Sequence, residues 1–525
     1  MKKLAALLLS LFMLLSTVSA LAEFPIVQEP LTLRAFQWVV ENQQVDFDNL
    51  WFYKELEKKT NIKIEWEDVK DADWKTKLTT MLASGDWPDL IVRGGVTKDM
   101  IEDYGPNQGI LIPLDDYLEE YMPNYYSRLG MNNVSDSLIS SDGHMYFIGN
   151  LTAQRINHDG TFFINKTWLD KLGLQVPTTV DELTEVLRAF RDGDPNGNGE
   201  KDEIPFSAAG EVYHQTQGIY NHFAMFGVPL QRWVYACIDD SNKVVFPGYM
   251  EGFRAAVEWL NLCYTEGLMD PEALTQDSNA WGVKVNADRV GYTTYLRTIN
   301  TAMEQTTIAP QFKHILPPGS EYGVKVPRIL EIPEFGAAIT STNKHVTETL
   351  RWLDAQFETE TMLTSVNGPM AGGPLDPAPL EKTAEGKYKV AFVPADNGLY
   401  QYVPVIHGQF FAPGDYYFDI FELPPHRVER KNQAELYEQA GVLEKNSHDY
   451  LRKLVRMDTD TAVEVSRLFT EIEKYMKESI TNFITQGVTD ASWQAFLDNA
   501  KNVGVDKYVE YYQTAYDAYL AANQK

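Results

Sequence analysis

Leu31-Thr-Leu-Arg-Ala-Phe-Gln-Trp38, then Leu50-Trp-Phe-Tyr-Lys-Glu-Leu-Glu-Lys-Lys59, then Ile62-Lys-Ile-Glu-Trp66 changes its hydrophobic period twice within one short stretch. The first block alternates apolar and polar residues as a strand does. The second carries helical spacing with Lys and Glu on its outer face, and the third alternates again. A helical pattern from Trp74 to Ala83, a turn at Ser84-Gly85-Asp86 and an apolar run from Asp89 to Val92 complete a β-α-β-α-β series. Strands alternating with helices of this length predict an α/β fold built on a mostly parallel sheet covered on both faces. The rhythm resumes with a strand at Phe162 to Asn165, a helix at Val180 to Arg191 and a strand at Ile204 to Ser207, and recurs at Arg328 to Thr340. Neither a repeat nor a low-complexity linker separates these blocks, so two lobes joined by short crossing strands are expected. From Asp460 onward the pattern is almost wholly helical. Val463, Phe469, Ile472, Met476, Ile480 and Phe483 mark one apolar face, read as packing against the second lobe.

Upstream of this framework, Lys2 and Lys3 precede an apolar stretch from Leu4 to Val18 and an A-x-A pattern at Ala20 and Ala22. That is the pattern of a secretory signal peptide over residues 1–22. The stretch falls short of the roughly 20 apolar residues a spanning helix needs. Cys237 and Cys263 are the only cysteines, so no lipid-anchor cysteine follows the apolar run. They could pair in an exported protein, but Cys263 lies in a helical pattern with Phe253, Val257, Leu260 and Tyr264 where a buried thiol fits equally well. About 500 mature residues exceed what one core supports. The formal charge of −28 becomes −30 once Lys2 and Lys3 leave with the signal. Such a chain repels nucleic acid and anionic membranes, and its acidity reads first as solubility.

Residues 192–205 read Asp-Gly-Asp-Pro-Asn-Gly-Asn-Gly-Glu-Lys-Asp-Glu-Ile-Pro. Asp194, Asn196 and Asn198 place side-chain oxygens at alternate positions, and Asp202 and Glu203 follow. A hard cation such as calcium takes about six to eight oxygens, and alternate side chains of a tight Gly-rich loop converge on one point. Gly199 falls where an EF-hand loop turns sharply. Position twelve, however, is Pro205, so Asp202 and Glu203 must replace the usual bidentate Glu. The loop is EF-hand-like rather than a true EF-hand; the competing reading is a polar Asn/Gly surface turn.

Around this loop, Asn165-Lys-Thr-Trp-Leu-Asp-Lys-Leu-Gly-Leu174, Val176-Pro-Thr-Thr-Val-Asp-Glu-Leu183 and Asp202-Glu-Ile-Pro-Phe206 form a characteristic set. Ser84-Gly-Asp-Trp-Pro-Asp89, Ile112-Pro-Leu-Asp-Asp-Tyr-Leu118, Tyr264-Thr-Glu-Gly-Leu-Met-Asp-Pro-Glu272 and the Trp493 to Tyr519 helical pattern agree with it. Over nearly its whole mature length the chain resembles the family 1 extracellular solute-binding proteins, in the branch similar to the alginate-binding and LplA-type proteins. The resemblance implies a type II periplasmic-binding-protein fold: two α/β lobes, a hinge and an interlobe cleft, here residues 23–160 with 336–395 and residues 161–335 with 396–525. It implies a monomer that captures an oligosaccharide and presents it to an ABC permease. The calcium it implies is structural, held by Asp194, Asn196, Asn198, the Glu200 carbonyl, Asp202 and Glu203. The match is weakest between Val366 and Lys389, where Asn367-Gly-Pro-Met-Ala-Gly-Gly-Pro374 replaces a Gly- and Glu-containing stretch.

Sugars are held by aromatic faces and planar polar groups, and in open α/β sheets ligands sit beyond the carboxyl ends of strands. That rule selects Gln37 and Trp38, Arg93, and Glu211 with Tyr213. Similarity to the fold adds Trp281 and Tyr295. Core packing or ordinary surface is the alternative for each, and Arg93 can equally pair with the protein's own carboxylates. No G-x-S-x-G elbow, P-loop, G-x-G-x-x-G or H-E-x-x-H occurs, so the common nucleophile, phosphate and zinc devices are missing. The enzyme alternative is a secreted glycosidase, which would set two carboxylates facing each other across a cleft. Binding is nonetheless the expectation, with a peptide or other small solute as the alternative ligand, in a periplasm or at the outer surface.

Overall fold

A computed structural model describes residues 24–523 apart from 40–45, 71–72, 94–95, 97, 131–137, 141, 150–161, 209–216, 231–233, 295–310, 328–335, 392–398, 400–401, 405–418, 423–431, 433, 444–450, 452–454 and 456. The proposed signal peptide lies outside these residues. The chain divides into two compact units, Met1–Arg155 with Glu331–Glu422 and Ile156–Leu330 with Leu423–Lys525.

In the first unit β1 (Leu31–Val39), α1 (Trp51–Thr60), β2 (Ile62–Lys70), α2 (Trp74–Ser84), β3 (Leu90–Val92) and β4 (Ile148–Gly149) follow in order. Ala35, Phe36 and Gln37 are all buried although they point to opposite faces, so β1 is covered on both sides. α1 turns Phe52, Tyr53 and Leu56 inward and stops at Asn61, which takes the left-handed conformation that ends a helix. α2 buries Trp74, Leu78 and Leu82, the Trp74 ring lying 5.0 Å from that of Phe36.

The chain then enters the second unit with β5 (Phe162–Asn165), α3 (Val180–Asp192), β6 (Ile204–Phe206), α4 (Glu251–Thr265), β7 (Val290–Thr293) and β8 (Phe312–Ile315). α3 starts at a capping box in which Thr179 and Glu182 satisfy each other's backbone N–H. A Cβ on Gly291 would lie 2.3 Å from Phe190, so the close seating of α3 on β7 requires glycine there.

Returning to the first unit, the chain adds β9 (Gly336–Ile339), α5 (Val346–Ala355) and α6 (Thr359–Asn367). It ends in the second unit with α7 (Thr459–Gln486), α8 (Asp490–Asn502) and α9 (Val505–Asn523). The first sheet runs β2-β1-β3-β9-β4 and the second β8-β5-β7-β6. β1 pairs in parallel with β2 and β3, while β9 is antiparallel to both β3 and β4. β5 is antiparallel to β7 and β8, and β6 is parallel to β7. Each sheet is thus parallel but for one strand, and each reversed strand is the first after the chain passes between units. This is the type II α/β arrangement.

The structure corrects two sequence expectations and answers one question the sequence left open. Leu399, Tyr402 and Val403 pack on the first unit's core, and Phe52 N–H donates to the Tyr402 carbonyl at 2.9 Å, so this part of the segment after residue 395 builds the first lobe rather than the second. Gly398 and Pro404 bracket this short stretch, which leaves its apolar residues too few to show a period. Val463 is 67 % exposed. It stands nine residues from Ile472, half a turn round a helix, and the buried face runs instead through Val465, Leu468, Ile472, Met476, Ile480, Phe483 and Ile484. That face packs against α4, with Phe496 of α8 stacked 5.7 Å from Phe253. The open disulfide question resolves as two buried thiols.

Candidate ligand and cation sites

The carboxyl ends of β1, β2 and β3 lie side by side, and three polar groups meet there. Gln37 pairs in register with Asp68 on one side and Val92 on the other. Its Nε2 donates to Asp68 Oδ1 at 2.6 Å, with the Gln37 side chain fully buried. Arg93, the residue after β3, is 1 % exposed and held at φ 65°, with its N–H donating to the Gly336 carbonyl at 2.7 Å. A non-glycine residue in this region of backbone space is uncommon and signals a constrained position. The guanidinium lies 5.7 Å from the Phe47 ring. Burial pulls the Arg93 pKa down while Tyr53 and Asp68 pull it back up. Partial desolvation raises Asp68 against the opposing hydrogen bond from Gln37, and Asp48 adds to the rise. The strand ends therefore carry a buried cation and a buried carboxamide, with the solvent-exposed Asp68 carboxylate hydrogen-bonded to the carboxamide.

Of the sequence-selected residues, the structure brings Gln37 and Arg93 together. Trp38, next along β1, points to the other face and packs, partly buried, against the first unit's core. Asp68 was missed because the alternation was read as ending at Trp66, whereas β2 continues to Lys70. Trp281 is a core residue, 0 % exposed and packed among Phe163, Val285, Val290 and Phe312, so its indole offers no face to a solute. Glu211, Tyr213 and Tyr295 lie outside the described residues. At the described end of β6, buried Asp270 accepts from Ser207 Oγ at 2.7 Å, Gln276 Nε2 at 3.1 Å and Lys284 Nζ at 2.7 Å. This network fixes the strand end.

The acidic loop folds around its own side chains. Asp194 accepts from the N–H groups of Gly197 and Gly199 at 2.9 and 3.1 Å, and both glycines have positive φ. Asn196 and Asn198 each donate a side-chain N–H to Asp202 Oδ1, at 3.1 and 3.0 Å. Asn198 foremost holds the Asp202 carboxyl below its ordinary range. Arg289 Nε stands 3.0 Å from Asp202 Oδ2. Both Glu203 carboxylate oxygens are buried with no hydrogen-bond partner, and its pKa is raised first by burial and further by the charges of Asp202 and Asp194. An unpartnered carboxylate that feels the charges of Asp202 and Asp194 is an arrangement that a divalent cation relieves, and oxygen donors are the kind that calcium takes. Among the described residues no cluster of three or more His, Cys, Asp or Glu has the geometry to hold a metal. The fit therefore depends on the amide and backbone oxygens of Asn196, Asn198 and Glu200, which calcium accepts and softer metals do not.

Residues 43–354 match the sequence model of the bacterial extracellular solute-binding proteins. Over 523 residues, covering 95 % of this chain and 92 % of the relative, the sequence is 26 % identical to the fructooligosaccharide ABC transporter substrate-binding protein FusA of Streptococcus pneumoniae serotype 4. The solved structure of S. pneumoniae FusA with kestose aligns at a TM-score of 0.70 and 24 % identity, covering 94 % of this chain and 100 % of that one. An EF-hand mutant of FusA with fructo-nystose aligns at 0.69 and 24 %, with the same coverage. Among the described residues no helix is long and apolar enough to cross a membrane.

Proposed function

The chain belongs to the bacterial extracellular solute-binding proteins, and on that premise we propose that it captures an oligosaccharide and delivers it to the permease of an ABC importer. The observation that carries this reading is the Gln37–Asp68–Arg93 group at the strand ends of the first unit, in which Gln37 and Arg93 are buried and Asp68 is exposed. Its planar donors and acceptors match what neighbouring sugar hydroxyls require, with the Asp68 carboxylate open to solvent at the strand end. Likeness to FusA over nearly the whole length supports a saccharide as the class of solute. Glu211, Tyr213 and Tyr295 are the proposed contributors from the second unit. The protein is read as a secreted monomer that binds its ligand without chemical change. The loop at 194–203 is read as a structural calcium site through Asp194, Asn196, Asn198, the Glu200 carbonyl, Asp202 and Glu203.

A thermal-shift screen of the mature protein against neutral and acidic oligosaccharides, kestose included, tests the reading, with chromatography of the sugar afterwards. The expected result is an upward shift with one sugar class, no hydrolysis, and loss of the shift in Gln37→Leu. A ligand at about a hundred times its Kd stabilises by about 2.7 kcal/mol, which such a screen resolves. Breakdown of the sugar, or no shift with any saccharide, overturns the proposal.

A further inference from the structure

A groove of about 380 Å³ runs along α1 in the first unit, walled opposite by α6 and by the turn at Met370–Gly373. Small-molecule sites span roughly 300–1,000 Å³, so this one has the capacity of about one or two sugar rings. Its floor is apolar, formed by buried Phe52 and Leu56. Trp51, Glu55 and Lys59 recur every four residues and so line its length from successive turns of α1. The Trp51 indole is only partly buried. Across from it, a Cβ on Gly373 would lie 3.5 Å from Trp51 Cζ2, so bare backbone borders the edge of the ring. The wall opposite α1 is formed by Glu360, Thr361 and Thr364 of α6 and by Met370–Gly373.

The charges on the rim are already balanced. Glu55 pairs with Lys58 at 2.7 Å, Glu360 with Lys382 at 3.1 Å, and Lys59 with Glu358. Glu360 also accepts from the Tyr388 hydroxyl at 2.8 Å. An ionic ligand would find no excess charge here, whereas each carboxylate keeps lone pairs that accept hydroxyl hydrogens. An aromatic face, an apolar floor and charge-balanced polar edges together suit a neutral, hydroxyl-rich ring. We propose that this groove is a second carbohydrate site, formed by the first unit alone and taking a neutral sugar of about one or two rings. It goes beyond the function proposed above, since none of its residues belongs to the Gln37–Asp68–Arg93 group.

The test uses the full mature chain labelled with 5-fluorotryptophan, with the Trp51 fluorine resonance assigned by its absence in Trp51→Phe. Sucrose and kestose are titrated to about 50 mM, a range that detects a Kd on the order of millimolar. The expected result is a saturable shift of the Trp51 resonance. Thr364→Arg, which fills the groove from α6, should weaken it by about tenfold or more. Arg93→Ala should leave it intact even where tight binding elsewhere is lost, which separates this site from the strand-end site. A motionless Trp51 resonance in the unmodified chain, an undiminished shift in Thr364→Arg, loss of the shift in a folded Arg93→Ala, or a stronger response to sodium glucuronate than to sucrose overturns the proposal.

Discussion

At the scale of single residues, the buried polar groups are the most informative. His222 is fully buried among Phe206, Trp259, Tyr292 and Phe162, its Nδ1 3.2 Å from the Ile219 carbonyl and its Nε2 without a partner. Burial lowers its pKa from 6.5 to about 3. Because the folded value lies below the unfolded one, the unfolded chain binds the proton more readily between the two. Stability is therefore full above about pH 6.5 and falls with falling pH, by on the order of 3 kcal/mol at about pH 4. Urea unfolding from about pH 7 to pH 4 should show this slope in the natural chain and a flatter one in His222→Phe; parallel curves would refute the assignment. Glu203 makes a two-sided case. In chelator, Glu203→Gln should melt higher than the natural chain, because a buried unpartnered carboxylate costs about 1–3 kcal/mol. With calcium in excess it should gain less stability than the natural chain does. Equal gains in both proteins would remove Glu203 from the proposed ligand set.

At the scale of elements, the long helix α7 shows what periodicity can and cannot settle. The apolar spacing from Phe469 to Phe483 identifies a buried face, and Ile472, Met476, Ile480 and Phe483 lie on it. Val463 was assigned to that face by proximity to the pattern, yet its angular position sets it opposite. Ile472→Lys should destabilise by more than about 4 kcal/mol, since it puts a charge where the side chain is fully enclosed. Val463→Lys should stay within about 0.5 kcal/mol. Chemical denaturation of both variants checks the contrast, and similar losses would mean that the face is assigned wrongly. The same limit explains the strand ends. Alternation revealed β1 and β2, and the rule for open sheets selected Gln37 and Arg93. Asp68 became legible only when pairing with β1 extended β2 by four residues beyond Trp66.

At the scale of the whole molecule, each unit is assembled from two separate stretches of chain. The second unit's core joins α4 to α7 and α8 through Phe253, Phe483, Trp493 and Phe496. A chain ending near residue 422 should therefore leave α4 without its partner and expose Phe253, Trp259 and Leu260. Limited proteolysis should then cleave the remainder of the second unit while sparing the first; a protease-resistant second unit in that fragment would contradict the division. The sequence by itself determined the α/β class, the family, the helical carboxyl-terminal region and the spacing of the acidic loop. All of these rest on periodicity or on residues close in the chain, which local sterics and hydrogen bonding govern. Tertiary structure alone decided that Leu399, Tyr402 and Val403 build the first unit, that Trp281 is core, that both cysteines are buried thiols and that Asp68 joins Gln37 and Arg93. Those outcomes depend on contacts between residues distant in sequence, and a hydrophobic or polar residue does not carry in its local pattern the identity of the partner that will bury it.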